Sequence, residues 1–142
     1  MDRGWASLMP CVLDASFALA LVLPDEATPS DEIIARVLGD IILVPAHWPT
    51  EILNGCLMAL RRGRLSAADI KRALSDIVVL GVEVAPADAF GRSERLIAKA
   101  SKHGLSIYDM AYLELAERRS LSLATRDRKL SEAARTVGVK LL

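Results

Sequence analysis

Apolar and polar positions follow two rhythms along this 142-residue chain. Short unbroken apolar runs, bounded by Gly, Pro or Asp, read as strands buried on both faces. Longer stretches with apolar residues three and four apart read as helices with one inward face. The runs fall at residues 11–14, 41–44, 81–84 and 121–124, with 139–141 as a candidate fifth. Between them the spacing predicts helices over 17–23, 50–62, 88–102 and 126–136, with Pro49 opening the second. Three more helices start at capping patterns: Thr28 to Asp31 (running to Leu38), Ser66 to Asp69 (to Val79) and Ser106 to Asp109 (to Arg119). No adjacent pair of strands is joined by a two-residue hairpin turn. Strands separated by helices need crossover connections, which implies an α/β fold: a parallel sheet with helices on both faces.

Composition narrows the picture. Apolar residues form 52% of the chain, enough for a hydrophobic core and too many for disorder. The length suits a single domain spanning 1–142, with residues 1–8 read as an N-terminal extension and Met9 as an alternative start. Lys+Arg and Asp+Glu are both 18. The charges are not evenly spread: residues 1–91 hold 7 basic and 12 acidic residues, and residues 92–142 hold 11 and 6. Such asymmetry fits a polyanionic or charged-protein partner, and equally a helical fold with solvated faces. Cys11 and Cys56 lack the spacing of a zinc site or disulfide framework and read as buried, reduced thiols. No apolar stretch approaches the roughly 20 residues of a membrane span, and the first residues do not form a signal peptide. A cytoplasmic protein with no membrane partner is expected.

Four acids fall where this pattern changes from strand to helix or opens a helix. Asp14 ends the first strand. Glu51 lies in the first turn of the helix after the second strand, Asp109 in the first turn of the helix before the fourth, and Asp127 just after the fourth strand. Helix starts attract acids for electrostatic reasons alone, so Glu51, Asp109 and Asp127 each have an ordinary structural explanation. Asp14 is more pointed, because its strand is apolar. Ligands of open α/β sheets bind beyond the carboxyl ends of the strands, where the junctions after strands one, two and four would share an edge. Asp109 joins them only if its helix starts on that edge. Carboxylates gathered there would suit a hard divalent cation, since none of the junctions carries a thiol and His47 is the one histidine nearby. Carboxylates with Mg²⁺ or Mn²⁺ suit phosphodiester hydrolysis.

These segments also resemble a family. Val12-Leu13-Asp14-Ala15-Ser16, Pro49-Thr50-Glu51-Ile52-Leu53-Asn54, Tyr108-Asp109-Met110-Ala111-Tyr112-Leu113 and Leu123-Ala124-Thr125-Arg126-Asp127-Arg128-Lys129-Leu130 are similar to the four signatures of PIN domains, above all of VapC-type toxin ribonucleases from toxin–antitoxin pairs. The resemblance implies a PIN-like fold, a five-stranded parallel sheet of order 3-2-1-4-5 sandwiched by helices, and it brings Asp109 to the other acids. It implies an endoribonuclease dependent on Mg²⁺ or Mn²⁺ with Asp14, Glu51, Asp109 and Asp127 as the catalytic quartet. Asp14, Asp109 and Asp127 are the expected metal ligands, with Glu51 either ligating through water or helping to activate the nucleophilic water. Ser16 and Thr125 match hydroxyls that support the first and last acids, and Asn54 a polar residue one turn after Glu51. It further implies a homodimer and an antitoxin protein that places an Arg among the acids. Leu21 and Met110 depart from the family's usual Trp and Ala, at positions that read as packing.

Basic residues supply the expected RNA contacts, with Arg126 and Arg128 favoured because they flank Asp127. Arg92, Arg95, Lys99 and Lys102 form a stripe that a solvated helix face would also explain, and Arg61, Arg62 and Arg64 cluster at a helix end. Residues 17–23 and 52–60 are more apolar than one buried stripe requires, as packing against a second chain or burial in the core would explain. The rival to a ribonuclease is a catalytically silent PIN-like module that binds RNA or protein. Aspartyl-phosphate phosphatases also place an Asp after strand one, but want a second Asp where this chain has Ser16.

Overall fold

A computed structural model describes residues 10–39, 41–87 and 90–142. The described chain runs β1 (Cys11–Leu13), α1 (Ala15–Val22), α2 (Asp31–Leu38), β2 (Ile42–Val44), α3 (Trp48–Arg61), α4 (Ala67–Val79), β3 (Glu83–Val84), a 3₁₀ turn (Phe90–Arg92), α5 (Ser93–His103), α6 (Ile107–Arg119), β4 (Ser122–Ala124) and α7 (Arg128–Val137). The expected extension at 1–8 lies outside the described residues.

All strand pairs are parallel and the order is β3-β2-β1-β4. This is the α/β architecture the alternation predicts. The fifth strand is reduced to one parallel bridge, Leu123 to Leu141, on the outer side of β4 where order 3-2-1-4-5 would put it. Leu123 donates to the Lys140 carbonyl (2.9 Å) and accepts from the Leu142 amide (3.1 Å), so the pairing extends no further than that one residue. Two smaller differences have local causes. Thr28 precedes Pro29 and is kept extended, so Ser30 rather than Thr28 caps α2, through Ile33 N–H (3.3 Å). The helix expected over 88–102 begins, within the described residues, as the 3₁₀ turn at Phe90 and becomes α-helical at Ser93.

β1 sits between β2 and β4, and its three residues are wholly buried. The chain leaves β1 toward β2 on one side and later returns to β4 on the other. That reversal opens a crevice beyond the carboxyl end of β1. α6 packs against β1 and β4 and is buried from Met110 through Ala116, apart from the half-buried Ala111, with Tyr112 and Leu113 fully enclosed. Its N-terminal turn therefore has little freedom beside the crevice. A second cluster of Leu23, Cys56, Ala59, Leu65 and Ala73 joins α1, α3 and α4. Both cysteines are free and buried. Leu21 packs against the core and Met110 lies within it, as packing positions should. No helix among the described residues is long and apolar enough to cross a membrane.

Candidate active site

The register of β1 on β4 builds the site. Leu13 pairs with Ala124, and the ladder runs one step further as Asp14 N–H donates to the Ala124 carbonyl (2.9 Å). The next residue on each strand is then Asp14 or Thr125, side by side. Asp14 occupies the N-cap position of α1, yet its side chain makes no capping bond. Helix capping therefore does not explain this acid. Its Oδ2 instead accepts from Ser16 Oγ (2.8 Å) and Thr125 Oγ1 (2.6 Å). Thr125 Oγ1 also accepts from Asp127 N–H (3.0 Å), so one hydroxyl links the two acids. Asp127 does cap its helix, but only with Oδ1, to Leu130 N–H (2.9 Å).

Glu51 comes from the first turn of α3. Its Oε1 accepts from the Tyr112 hydroxyl (2.5 Å) and lies 3.3 Å from His47 Nε2, within ion-pair range but outside hydrogen-bond geometry. Asp109 enters from α6, where Ser106 Oγ accepts its backbone N–H (3.1 Å). One open cleft is lined by all four acids, together with Ser16, His47, Asn54 and Tyr108. The question left by sequence, whether the Asp109 helix starts on the right edge, is thereby answered in the affirmative.

Three of the acids share a feature. Asp14, Glu51 and Asp127 each have one carboxylate oxygen tied to the protein, while the other has no protein partner among the described residues. The tethers fix each group and leave acceptors over for something in the cleft. Electrostatics agree. Burial raises the Asp14 pKa, the hydroxyls of Thr125 and Ser16 act against that, and Glu51 adds to it. Asp109 is also raised, by burial first, then by Asp127, Asp14 and Glu51, with Ser106 opposing. Glu51 moves the other way: burial acts to raise it, but contact with His47 and Tyr112 outweighs that. The Tyr112 phenol is pushed far above its usual range by burial and by Glu51.

The donors are four carboxylates, hydroxyls, an amide and the one imidazole of His47, with no sulfur, an oxygen-dominated set that fits a hard cation such as Mg²⁺ or Mn²⁺. Among the described residues, no three His, Cys, Asp or Glu side chains converge on a ready-made coordination sphere.

Other sequence candidates fall in different places. Asn54 lines the cleft but is exposed and makes no side-chain hydrogen bond among the described residues; Tyr112 and His47 contact Glu51. Both were missed as Glu51 partners. Tyr112 lies one helical turn after Asp109, and a buried phenol needs a partner, which is the signal that could have found it. Arg126 and Arg128 do not line the cleft: Arg126 lies 3.6 Å from Glu26, and Arg128 is exposed beside Glu132 (3.2 Å). In the basic stripe, Arg92 faces Glu114 (3.7 Å) and Lys99 faces Glu117 (3.0 Å), both on α6. Half of that stripe therefore holds α5 and its approach to α6. Arg64 pairs with Asp25 (2.7 Å) and Glu26 (3.4 Å).

The family model described as PIN domain matches residues 11–136. The chain is 36% identical over 121 residues to the VapC ribonuclease Mb0985 of Mycobacterium bovis, covering 85% of this chain and 88% of that protein. It is 31% identical over 123 residues to ribonuclease VapC12 of Mycobacterium tuberculosis, covering 86% and 90%. Among solved structures it is similar to PAE2754 from Pyrobaculum aerophilum (TM-score 0.68, 22% identity, 99% of this chain and 88% of that one). FitAcB from Neisseria gonorrhoeae is similar at TM-score 0.59 and 19% identity, covering 93% and 96%.

Proposed function

The chain belongs to the PIN-domain family, and on that premise we propose that it is an endoribonuclease that hydrolyses RNA phosphodiester bonds with Mg²⁺ or Mn²⁺. The observation that carries this reading is the cleft of four acids, three of which keep one oxygen anchored and the other without a protein partner among the described residues. The relatives named VapC ribonucleases support the same class of reaction.

In this reading Asp14, Asp109 and Asp127 would hold the cation, with Ser16 and Thr125 keeping Asp14 in place. When bound, the ion supplies an activated water and a counter-charge for the phosphate. The protein supplies the rest. Burial and like charge raise Asp14 and Asp109, so the cleft stores repulsion that a cation relieves. Glu51 has the depressed pKa, so it stays ionised, and its Oε2, without a protein partner among the described residues, is the acceptor for a proton from the attacking water. Arg126 and Arg128 flank Asp127 and contact the phosphates on either side, a role that positions RNA without reading its sequence.

The VapC relatives support a matching biological role, and the reading extends to the toxin of a toxin–antitoxin pair, acting in the cytoplasm as a homodimer and restrained by a cognate antitoxin protein. Leu53, Leu57 and Leu60 leave an apolar stripe exposed on α3, spaced as a partner helix would require. The alternative, a silent PIN-like binding module, gives no reason to retain carboxylates whose crowding is uncompensated. Incubating the purified chain with single-stranded RNA of randomised sequence tests the proposal. Cleavage should require Mg²⁺ or Mn²⁺, stop with EDTA and return with Mn²⁺. RNA bound but uncut, with no heat of Mn²⁺ binding by calorimetry, would establish the silent module instead.

A further inference from the structure

Glu51 Oε1 is approached from two sides by groups outside the acid quartet. Tyr112 is wholly buried in α6, one turn beyond Asp109 and so on a neighbouring part of the same helix face. Its hydroxyl donates to Glu51 Oε1 and accepts from the backbone N–H of Ala15 (3.4 Å). Ala15 is the first residue of α1, directly after Asp14. One hydroxyl thus connects the three helix N-termini that carry Asp14, Glu51 and Asp109. His47, at the N-cap position of α3, places Nε2 3.3 Å from the same Oε1. Its ring is held edge-on by Tyr108 and Tyr112, at centroid distances of 5.5 and 5.1 Å.

A glutamate has three rotatable side-chain bonds. With its side chain 35% exposed, Glu51 would otherwise move among several rotamers. Gripping Oε1 removes that freedom, while Oε2 has no protein partner among the described residues. A phenylalanine at 112 would fill the core equally well, so packing alone does not account for the hydroxyl. We propose that Tyr112 and His47 are positioning residues for Glu51: they hold its Oε1 so that Oε2 is presented to the substrate side of the cleft. The activity arm of the test below rests on the ribonuclease reading, and the unfolding arm does not.

The test is a double-mutant cycle between Tyr112→Phe and Glu51→Ala in the full chain. On single-stranded RNA of randomised sequence with Mn²⁺, Tyr112→Phe should lower kcat by about 10- to 100-fold. KM should stay within about twofold, because the loss falls on the reacting geometry rather than on RNA binding. In the Glu51→Ala background the same substitution should cost nothing further. A wild-type kcat in Tyr112→Phe, or an equal loss in both backgrounds, overturns the inference. If wild type itself does not cleave, the ribonuclease reading fails and urea unfolding decides this one. Tyr112→Phe should then destabilise the wild-type background more than the Glu51→Ala background, and strictly additive losses overturn the proposal. Should Tyr112→Phe not fold, His47→Asn takes its place in both cycles, with the same two outcomes.

Discussion

Thr125→Val removes one hydroxyl while nearly preserving side-chain shape, and that hydroxyl makes two bonds at the junction of β1 and β4. It donates to Asp14 Oδ2 at 2.6 Å and accepts from Asp127 N–H at 3.0 Å. A bond to an ionised acceptor contributes about 1.5–3 kcal/mol, and the half-buried Asp127 N–H, left without its acceptor, adds up to about 1. The expected loss is therefore about 1.5–4 kcal/mol. For a chain of this length each kcal/mol moves the thermal midpoint by about 3–4 °C, so the variant should unfold about 5–16 °C lower at neutral pH without metal. Circular dichroism melting curves measure this directly. pH supplies an independent check. Thr125 lowers the Asp14 pKa, so its contribution is fully present above the folded-state pKa of Asp14 and is lost as pH falls through it. The gap between variant and wild type should narrow in acid to the ~0.5–1.5 kcal/mol of a neutral bond. Thr125→Ser should recover most of the loss. A midpoint within about 2 °C of wild type at neutral pH, or a gap that widens in acid, would refute the reasoning.

Three further outcomes are expected. Asp109 is raised in the folded state, so its protonated form is favoured there, and Asp109→Asn should stabilise the metal-free protein at pH 8. That advantage should shrink as pH falls toward about 4, and calorimetric scans showing a gain independent of pH would be inconsistent with it. Gly55 lies where a Cβ would come within 2.4 Å of Leu19 Cδ1. Gly55→Ala should therefore forfeit the ~1 kcal/mol that alanine normally adds to a helix, and recover it in a Leu19→Ala background; a full gain with Leu19 present sinks the close-approach argument. Arg128 is exposed with an exposed partner, so Arg128→Ala should change stability by less than about 0.5 kcal/mol. It should lower the salt dependence of RNA binding by about one phosphate contact, and an unchanged salt slope in fluorescence anisotropy titrations removes this residue from the RNA surface.

Local patterning made the alternation of strands and helices readable, because a buried parallel strand is an unbroken apolar run and a helix start carries its own caps. Asp14 stood out for the same reason, as an acid closing an apolar strand. Its partners were only partly readable. Ser16, two residues on, was expected beside it, whereas Thr125 is 111 residues away and meets it through the β1–β4 register. Patterning by itself left Asp109 unplaced, since reaching the others depends on where α6 begins relative to the sheet edge. Likeness to a family supplied that step, and the cleft contains all four acids. Asn54 shares a helix face with Glu51, but spacing fixes a face and not a contact. The Tyr112 hydroxyl reaches Glu51 from a helix 61 residues away in sequence. The fifth strand was over-read from the apolar Val139 and Leu141, because hydropathy does not report how far a ladder extends.

Asp14 is where fold and chemistry meet, and its substitution is the most direct test of the metal-binding acid site. Asp14→Asn removes a buried charge whose pKa is raised mainly by desolvation. The metal-free variant should therefore unfold at neutral pH no lower than wild type. The decisive measurement is cleavage of single-stranded RNA by matched preparations of wild type and Asp14→Asn with Mn²⁺. An RNA-hydrolysing acid site predicts cleavage by wild type and none by the equally folded variant. Equal cleavage by both, or none by either, would contradict it.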